Sequence, residues 1–159
     1  MGREIRKVPV NWEHPKKMNG DYQPMRDRTF EEAVKDWKTE FFKWENGERP
    51  NYCSEDSTHL EYWEWDGHPP DREYYRPYKD EDATWFQVYE TVSEGTPVTP
   101  PFATEEDLID YLTKNGDFWD QKRGDKPYSR EQYQKFVYGK YAPSFVFENG
   151  VVKSGIESL

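Results

Sequence analysis

Aliphatic side chains are scarce in this 159-residue chain, which has only 10 Val, 4 Leu and 3 Ile. Long apolar runs are lacking too: nothing approaches the roughly 20 consecutive apolar residues of a membrane span, so no membrane role is expected. The opening MGREIRKVPVNWEHP has no apolar stretch of the kind a secretory signal carries. Arg6 stands where a myristoylation motif needs Ser or Thr. A single cysteine, Cys53, excludes an internal disulfide and a multi-thiolate metal centre and fits a reducing cytoplasm. Also missing are the glycine-rich phosphate loop, the dinucleotide fingerprint, the G-x-S-x-G elbow and the H-E-x-x-H zinc helix. Their absence ranks an enzymatic role below a binding role.

Aromatic residues are what the chain has instead: 7 Trp, 12 Tyr and 9 Phe make up 18% of it. Leu, Ile, Val and Phe total 26 residues, which with a net charge of −10 falls on the disordered side of the usual composition rule. That rule omits Tyr and Trp. Each aromatic buries roughly 150–250 Å², so 28 of them can support a core that the aliphatics could not. The expectation is a single folded domain over 1–159, of ordinary domain size.

Charge is uneven along the chain. Residues 1–53 are net +1, residues 54–82 and 83–120 are −7 each, and residues 121–159 are +3. Either the acidic middle is a solvated face, or it is an anionic surface that attracts a basic partner. The overall negative charge disfavours direct nucleic-acid binding.

Periodicity predicts a short strand over 4–8, where apolar and charged residues alternate, and a loop over 11–28. Residues 29–47 read as a helix. Thr29 caps it, Glu32 completes a capping box, Asn46-Gly47 stops it, and Phe30, Ala33, Val34, Trp37, Phe41 and Trp44 form one aromatic face. That face is expected to be core, shared with a central strand over 84–92. Residues 59–65 read as a further strand, with Trp63 core and Trp65 exposed, and 71–82 as an ordered surface loop. Thr104 and Ser129 cap two more helices, stopped at Asn115-Gly116 and Gly139. Asn149-Gly150 is the dipeptide of a type I′ turn and predicts a hairpin over 144–153 with Phe147 opposite Val152. The fold class is therefore α+β: a small, mainly antiparallel sheet, about three helices, an aromatic-rich core and a C-terminal β-hairpin.

No catalytic, cofactor or metal site is expected. His14, His59 and His68 with Cys53 follow no zinc spacing, and Cys53, Asp56 and His59 are only close in sequence, which says little about a nucleophile and its base. Carboxylate pairs abound, so none is singled out. The remaining feature is the segment from Glu61 to Asp82. Here the carboxylates Glu61, Glu64, Asp66, Asp71, Glu73, Asp80, Glu81 and Asp82 alternate with Trp65, Tyr74, Tyr75 and Tyr78. Tyr and Trp are favoured at interfaces and, beside carboxylates, suit a basic protein through charge pairs and cation–π contacts. These twelve residues are the candidate partner-binding set.

Three stretches resemble small uncharacterised proteins of tailed bacteriophages and prophages. They are Gly2-Arg-Glu-Ile-Arg-Lys-Val-Pro-Val-Asn-Trp-Glu-His-Pro15; Tyr74-Tyr75-Arg76-Pro77 with Thr84-Trp85 and Gln87-Val-Tyr-Glu-Thr-Val-Ser-Glu-Gly-Thr-Pro97; and Ala142-Pro-Ser144 with Asn149-Gly150 and Gly155-Ile156-Glu157. The resemblance offers no catalytic residue to carry over. It implies an accessory protein in the cytoplasm of a bacterial host that binds and modulates another protein. A basic, nucleic-acid-handling defence factor would suit, as with inhibitors of restriction or CRISPR nucleases that mimic DNA with carboxylates. A minor virion or assembly protein is the alternative, and a small enzyme the third reading.

Overall fold

Alternation at the start of the chain does make a strand, β1 (Gly2–Val8), in the computed structural model, which describes residues 1–159. The predicted loop that follows ends in an unforeseen short strand, β2 (Arg26–Thr29). Then come helix α1 (Phe30–Glu45), the one-turn helix α2 (Tyr62–Trp65) and the two-residue strand β3 (Tyr75–Arg76), which pairs with β2. Strands β4 (Trp85–Glu90) and β5 (Thr96–Pro97) precede three helices, α3 (Glu105–Asn115), α4 (Phe118–Arg123) and α5 (Arg130–Gly139). Strands β6 (Tyr141–Pro143), β7 (Phe145–Glu148) and β8 (Val151–Ser154) close the chain. The class is α+β, as expected. The chain divides into two compact units, 1–27 with 78–159, and 28–77.

In the first unit a four-stranded sheet runs β5-β4-β1-β6, with every pair antiparallel. Strand β4 is internal, as its β-branched and aromatic content predicts. The register sets Ile5 opposite Val88 and Gly2 opposite Pro143. Ile5, Phe86 and Val88 lie against a core of Leu108, Ile109 and Leu112 from α3, Tyr133, Phe136 and Val137 from α5, and Val98, Ala142 and Ile156. Full burial of each such side chain stabilises by roughly 1.5–3 kcal/mol. Thr104 and Ser129 start α3 and α5, their hydroxyls accepting from the N–H groups of Asp107 and Gln132. Helix α4 went unforeseen. Asp117 caps it by accepting from the N–H groups of Trp119 and Asp120, and an aspartate cap without a following apolar run leaves little periodic signal.

The charged positions of β1 differ: Lys7 is exposed, whereas Arg6 is buried. On the sheet face opposite Ile5 and Val88, Val8, Arg6, Gln87 and Tyr89 are all buried. Arg6 reaches the carbonyl of Met25, pairs with Glu4 at 2.5 Å and lies 4.5 Å above the Tyr89 ring. Gly95, at φ +120°, packs directly on that guanidinium and on the Met25 carbonyl.

The second unit is built on α1. Thr29 and Glu32 form the predicted capping box, and Asn46-Gly47 ends the helix, with Gly47 at φ +85°. Residues 59–65 are not a strand. Glu61 and Glu64 cap each other reciprocally and start α2, and a capping box overrides a weak alternation that had no clean apolar face. The α1 stripe packs on this turn: Trp37 stacks on Phe41 at 5.2 Å, Tyr62 meets both edge-on, and Trp44 stacks on Trp65 at 5.3 Å. Only Ala33 and Trp44 of α1 are fully buried. The single core expected for this stripe and β4 is thus two clusters: Val88 belongs to the aliphatic one, and the α1 aromatics pack with Tyr62 and Trp65.

The hairpin forms in the predicted register, Phe147 opposite Val152, with Asn149 at φ +51° and Gly150 at φ +79°, the positive pair a type I′ turn needs.

Gly95→Ala should destabilise the first unit by about 2–4 kcal/mol, since its Cβ would enter the space of Arg6 and the Met25 carbonyl. Gly150→Val should cost about 1–2 kcal/mol, because a β-branched residue resists positive φ at an otherwise open position. Urea melts of both variants check the ranking.

Candidate functional site

The acidic segment holds its side chains by local turns. Asp71 accepts from the Glu73 N–H at 3.1 Å and opens a single turn over Arg72–Tyr74, and the Tyr62 hydroxyl donates to Asp66 at 2.9 Å. Burial of the Tyr62 ring, then that bond to Asp66, pushes its hydroxyl well above the usual tyrosine range. Of the twelve candidate residues, Glu61, Glu64, Asp66, Asp71, Glu73, Tyr74, Asp80, Glu81 and Asp82 are exposed. Trp65, Tyr75 and Tyr78 are half-buried and serve packing. Trp65 stacks on Trp44 and Tyr52, Tyr75 meets Phe30 edge-on, and Tyr78 packs against Trp12 while donating to the Lys7 carbonyl at 3.3 Å. Residues 61–75 lie in the second unit; Tyr78 and Asp80–Asp82 lie in the first.

The roles expected for the two tryptophans are exchanged. Trp63 is 49% exposed, with its ring stacked on His68 at 5.5 Å, whereas Trp65 is in the aromatic cluster. A strand would have placed both on one face. A one-turn helix rotates positions two apart by roughly 200°, so one faces out when the other faces in. Beside Glu61, Glu64 and Asp66, the exposed Trp63 is the aromatic that sequence reasoning left out of the set.

The remaining thiol and imidazole groups do not converge. The Cys53 Sγ is 3.6 Å from the Ser54 carbonyl, His59 is exposed and His68 is engaged with Trp63. No group of three or more His, Cys, Asp or Glu side chains is placed to hold a metal ion.

Two polar clusters in the first unit were not foreseen. Asp117 and Asp120 are both buried, with Arg3 at 2.7 Å from Asp117 and Arg123 at 2.9 Å from Asp120. Burial, then the neighbouring Asp117, raises the Asp120 carboxyl above its usual range. Both aspartates nevertheless accept backbone N–H groups at the start of α4, which is a capping role. The second cluster surrounds Tyr89. Its hydroxyl accepts from the Trp12 indole at 3.1 Å and has one proton to offer to two acceptors, His14 Nδ1 at 3.0 Å and Gln87 Oε1 at 3.2 Å. The Gln23 carbonyl lies 2.6 Å from His14 Nε2 and can only accept, so Nε2 carries a proton. Desolvation, with a smaller contribution from the nearby Arg6, lowers the His14 pKa against that bond. An open cleft of about 350 Å³ runs beside this face, lined by Glu4, Arg6, Arg26, Asp27, Thr91 and Glu94. Its ion pairs, Arg6–Glu4 at 2.5 Å and Arg26–Glu94 at 3.0 Å, make it a salt-bridged seam.

Compared with protein-family models, curated proteins and solved structures, the chain matches none. No helix is long and apolar enough to cross a membrane.

Trp65→Ala should destabilise the fold by about 3 kcal/mol, as removal of a packed aromatic does, whereas Trp63→Ala should change stability by less than about 0.5 kcal/mol. Paired thermal melts distinguish the two. For His14, a depressed folded pKa means that the unfolded chain takes the proton first. Its contribution to stability is therefore full above the ordinary histidine value of 6.5 and declines as pH falls below it. His14→Gln should flatten the fall in stability between neutral pH and mildly acidic pH in parallel urea melts.

Proposed function

We propose that this chain is a phage-encoded accessory protein that binds a basic protein of the bacterial host through an acidic, aromatic surface. The observation that carries the reading is the exposure of Glu61, Glu64, Asp66, Asp71 and Glu73 together with Trp63 and Tyr74 in the second unit. That unit holds 13 carboxylates against 7 Lys and Arg. Exposed carboxylates draw in a cationic partner over the screening length, and an exposed indole gives an arginine a face to stack on. A host factor that handles nucleic acid presents the matching basic surface, and occupying that surface would inhibit it. The phage setting rests on the resemblance of the three sequence stretches, and the place of action is then the host cytoplasm.

Affinity capture from host cells identifies the partner, and a salt series tests the electrostatics. Affinity should fall as salt rises, because exposed charges are screened beyond about 8–10 Å at physiological ionic strength. Glu61→Gln, Glu64→Gln and Glu73→Gln combined, which keep the oxygens that cap α2, should slow association while leaving the melting temperature nearly unchanged. Trp63→Ala should speed dissociation, the mark of an anchor. A partner indifferent to both salt and the triple substitution would exclude this surface as the contact.

A further inference from the structure

Large apolar side chains are exposed at scattered points on this protein, as on most, but four of them fall within eight residues of the C-terminal hairpin. Phe145, Phe147, Val151 and Val152 are all more than half exposed. Alternation through β6 and β7 turns Tyr141, Phe145 and Phe147 outward and Ala142 and Val146 inward. The register then adds Val152 beside Phe147. The Met1 carbonyl accepts from both the Ser144 N–H and the Tyr141 hydroxyl, which places exposed Met1 at the other end of the stripe. Strands β7 and β8 form a sheet of their own, with no third strand beside them. A two-stranded hairpin with one apolar face bare is marginal until something covers that face.

Charge indicates what covers it. The hairpin holds one acid and one base, Glu148 and Lys153, 3.8 Å apart, and Phe145, Phe147 and Val152 carry no charge, in a chain of net −10. A basic partner is drawn to the acidic middle rather than to a neutral stripe. Two copies of the chain, each of net charge −10, repel one another as wholes, and at this stripe no charged side chains oppose one another, the Met1 ammonium lying at its end. A twofold contact needs a patch that matches only itself, which phenylalanine and valine do by apolar packing. The two phenylalanines offer roughly 300 Å²; Met1, Tyr141 and Val152 extend the stripe towards the roughly 800 Å² per subunit of a standard interface.

We infer that the hairpin stripe is a self-association surface, in which a second copy of the chain covers Phe145, Phe147 and Val152 with its own. The contact is independent of the acidic surface and responds to salt with the opposite sign. Screening the net negative charge strengthens self-association, while it weakens binding of a basic partner.

Sedimentation velocity on the full chain, across a concentration series at low and high salt, tests this. The expected result is a rise from the 19.2 kDa monomer to twice that mass, no weaker at high salt. Phe147→Ser should raise the dimer dissociation constant at least about tenfold, with an unchanged melt. Val152→Thr, which keeps the β-branched shape, should weaken it too and serves if Phe147→Ser fails to fold. A chain that stays monomeric to roughly 0.1 mM overturns the inference, since a dissociation constant of about 10 μM would already make it mostly dimer there. So does a dimer that dissociates with salt, or one that both substitutions leave intact.

Discussion

Every buried tyrosine and tryptophan carries one polar atom into the interior, and that atom must find a hydrogen-bond partner or cost about 1–3 kcal/mol. A chain so short of aliphatics cannot escape this constraint, and much of its architecture answers it. The Tyr89 hydroxyl is met by Trp12, His14 and Gln87, and the Gln87 amide donates in turn to the Thr99 carbonyl at 2.7 Å. The Tyr133 hydroxyl accepts from the Tyr128 N–H, the Trp44 indole donates to the Leu60 carbonyl, and the Trp119 indole donates to Glu90. Irregular segments, including the stretches around Trp12 and Leu60, supply several of these partners. They are held in place because the buried rings need them.

The same constraint divides the two faces of the first unit's sheet. Against the helices the core is largely aliphatic, with Leu108, Ile109, Leu112 and Val137 around Val88. On the other face Val8 lies beside the polar or aromatic Arg6, Gln87 and Tyr89, and Arg6 is buried because Glu4, the Met25 carbonyl and the Tyr89 ring satisfy it together. In the second unit the rings of α1 and α2 stack on one another while their polar atoms find other partners, Trp37 the Gly67 carbonyl, Trp44 the Leu60 carbonyl and Tyr62 the Asp66 carboxylate. Arg49, 3.6 Å above the Trp44 ring, donates to the carbonyls of Trp44 and Thr58 and so ties down the segment after α1. Trp63, left outside that stack, is what the unit presents beside its carboxylates.

Elements with local chemistry were legible in advance. The capping boxes of α1 and α5, the Thr104 cap, the glycines after α1 and α3, the internal strand β4 and the Asn149-Gly150 turn all stand where the residues placed them. The acidic candidates were legible as charges, and nine of the twelve are exposed. What misled was reading 59–65 as a strand with Trp65 turned out beside an Asp66-Gly67 turn, which gave Trp63 the place of Trp65. The Glu61–Glu64 capping pair was the signal that could have corrected it.

Alone, then, the sequence determined the class of fold, the starts and stops of α1, α3 and α5, the hairpin register and the acidity of the middle, because caps, turns and charge depend on residues a few positions apart. Tertiary structure alone decided that Arg6 and His14 are buried, that the α1 aromatics form a cluster separate from the core around Val88, and which tryptophan faces water. Each of these depends on partners far along the chain, such as Tyr89 for His14 and Trp44 for Trp65. No local pattern encodes a contact whose other half lies tens of residues away.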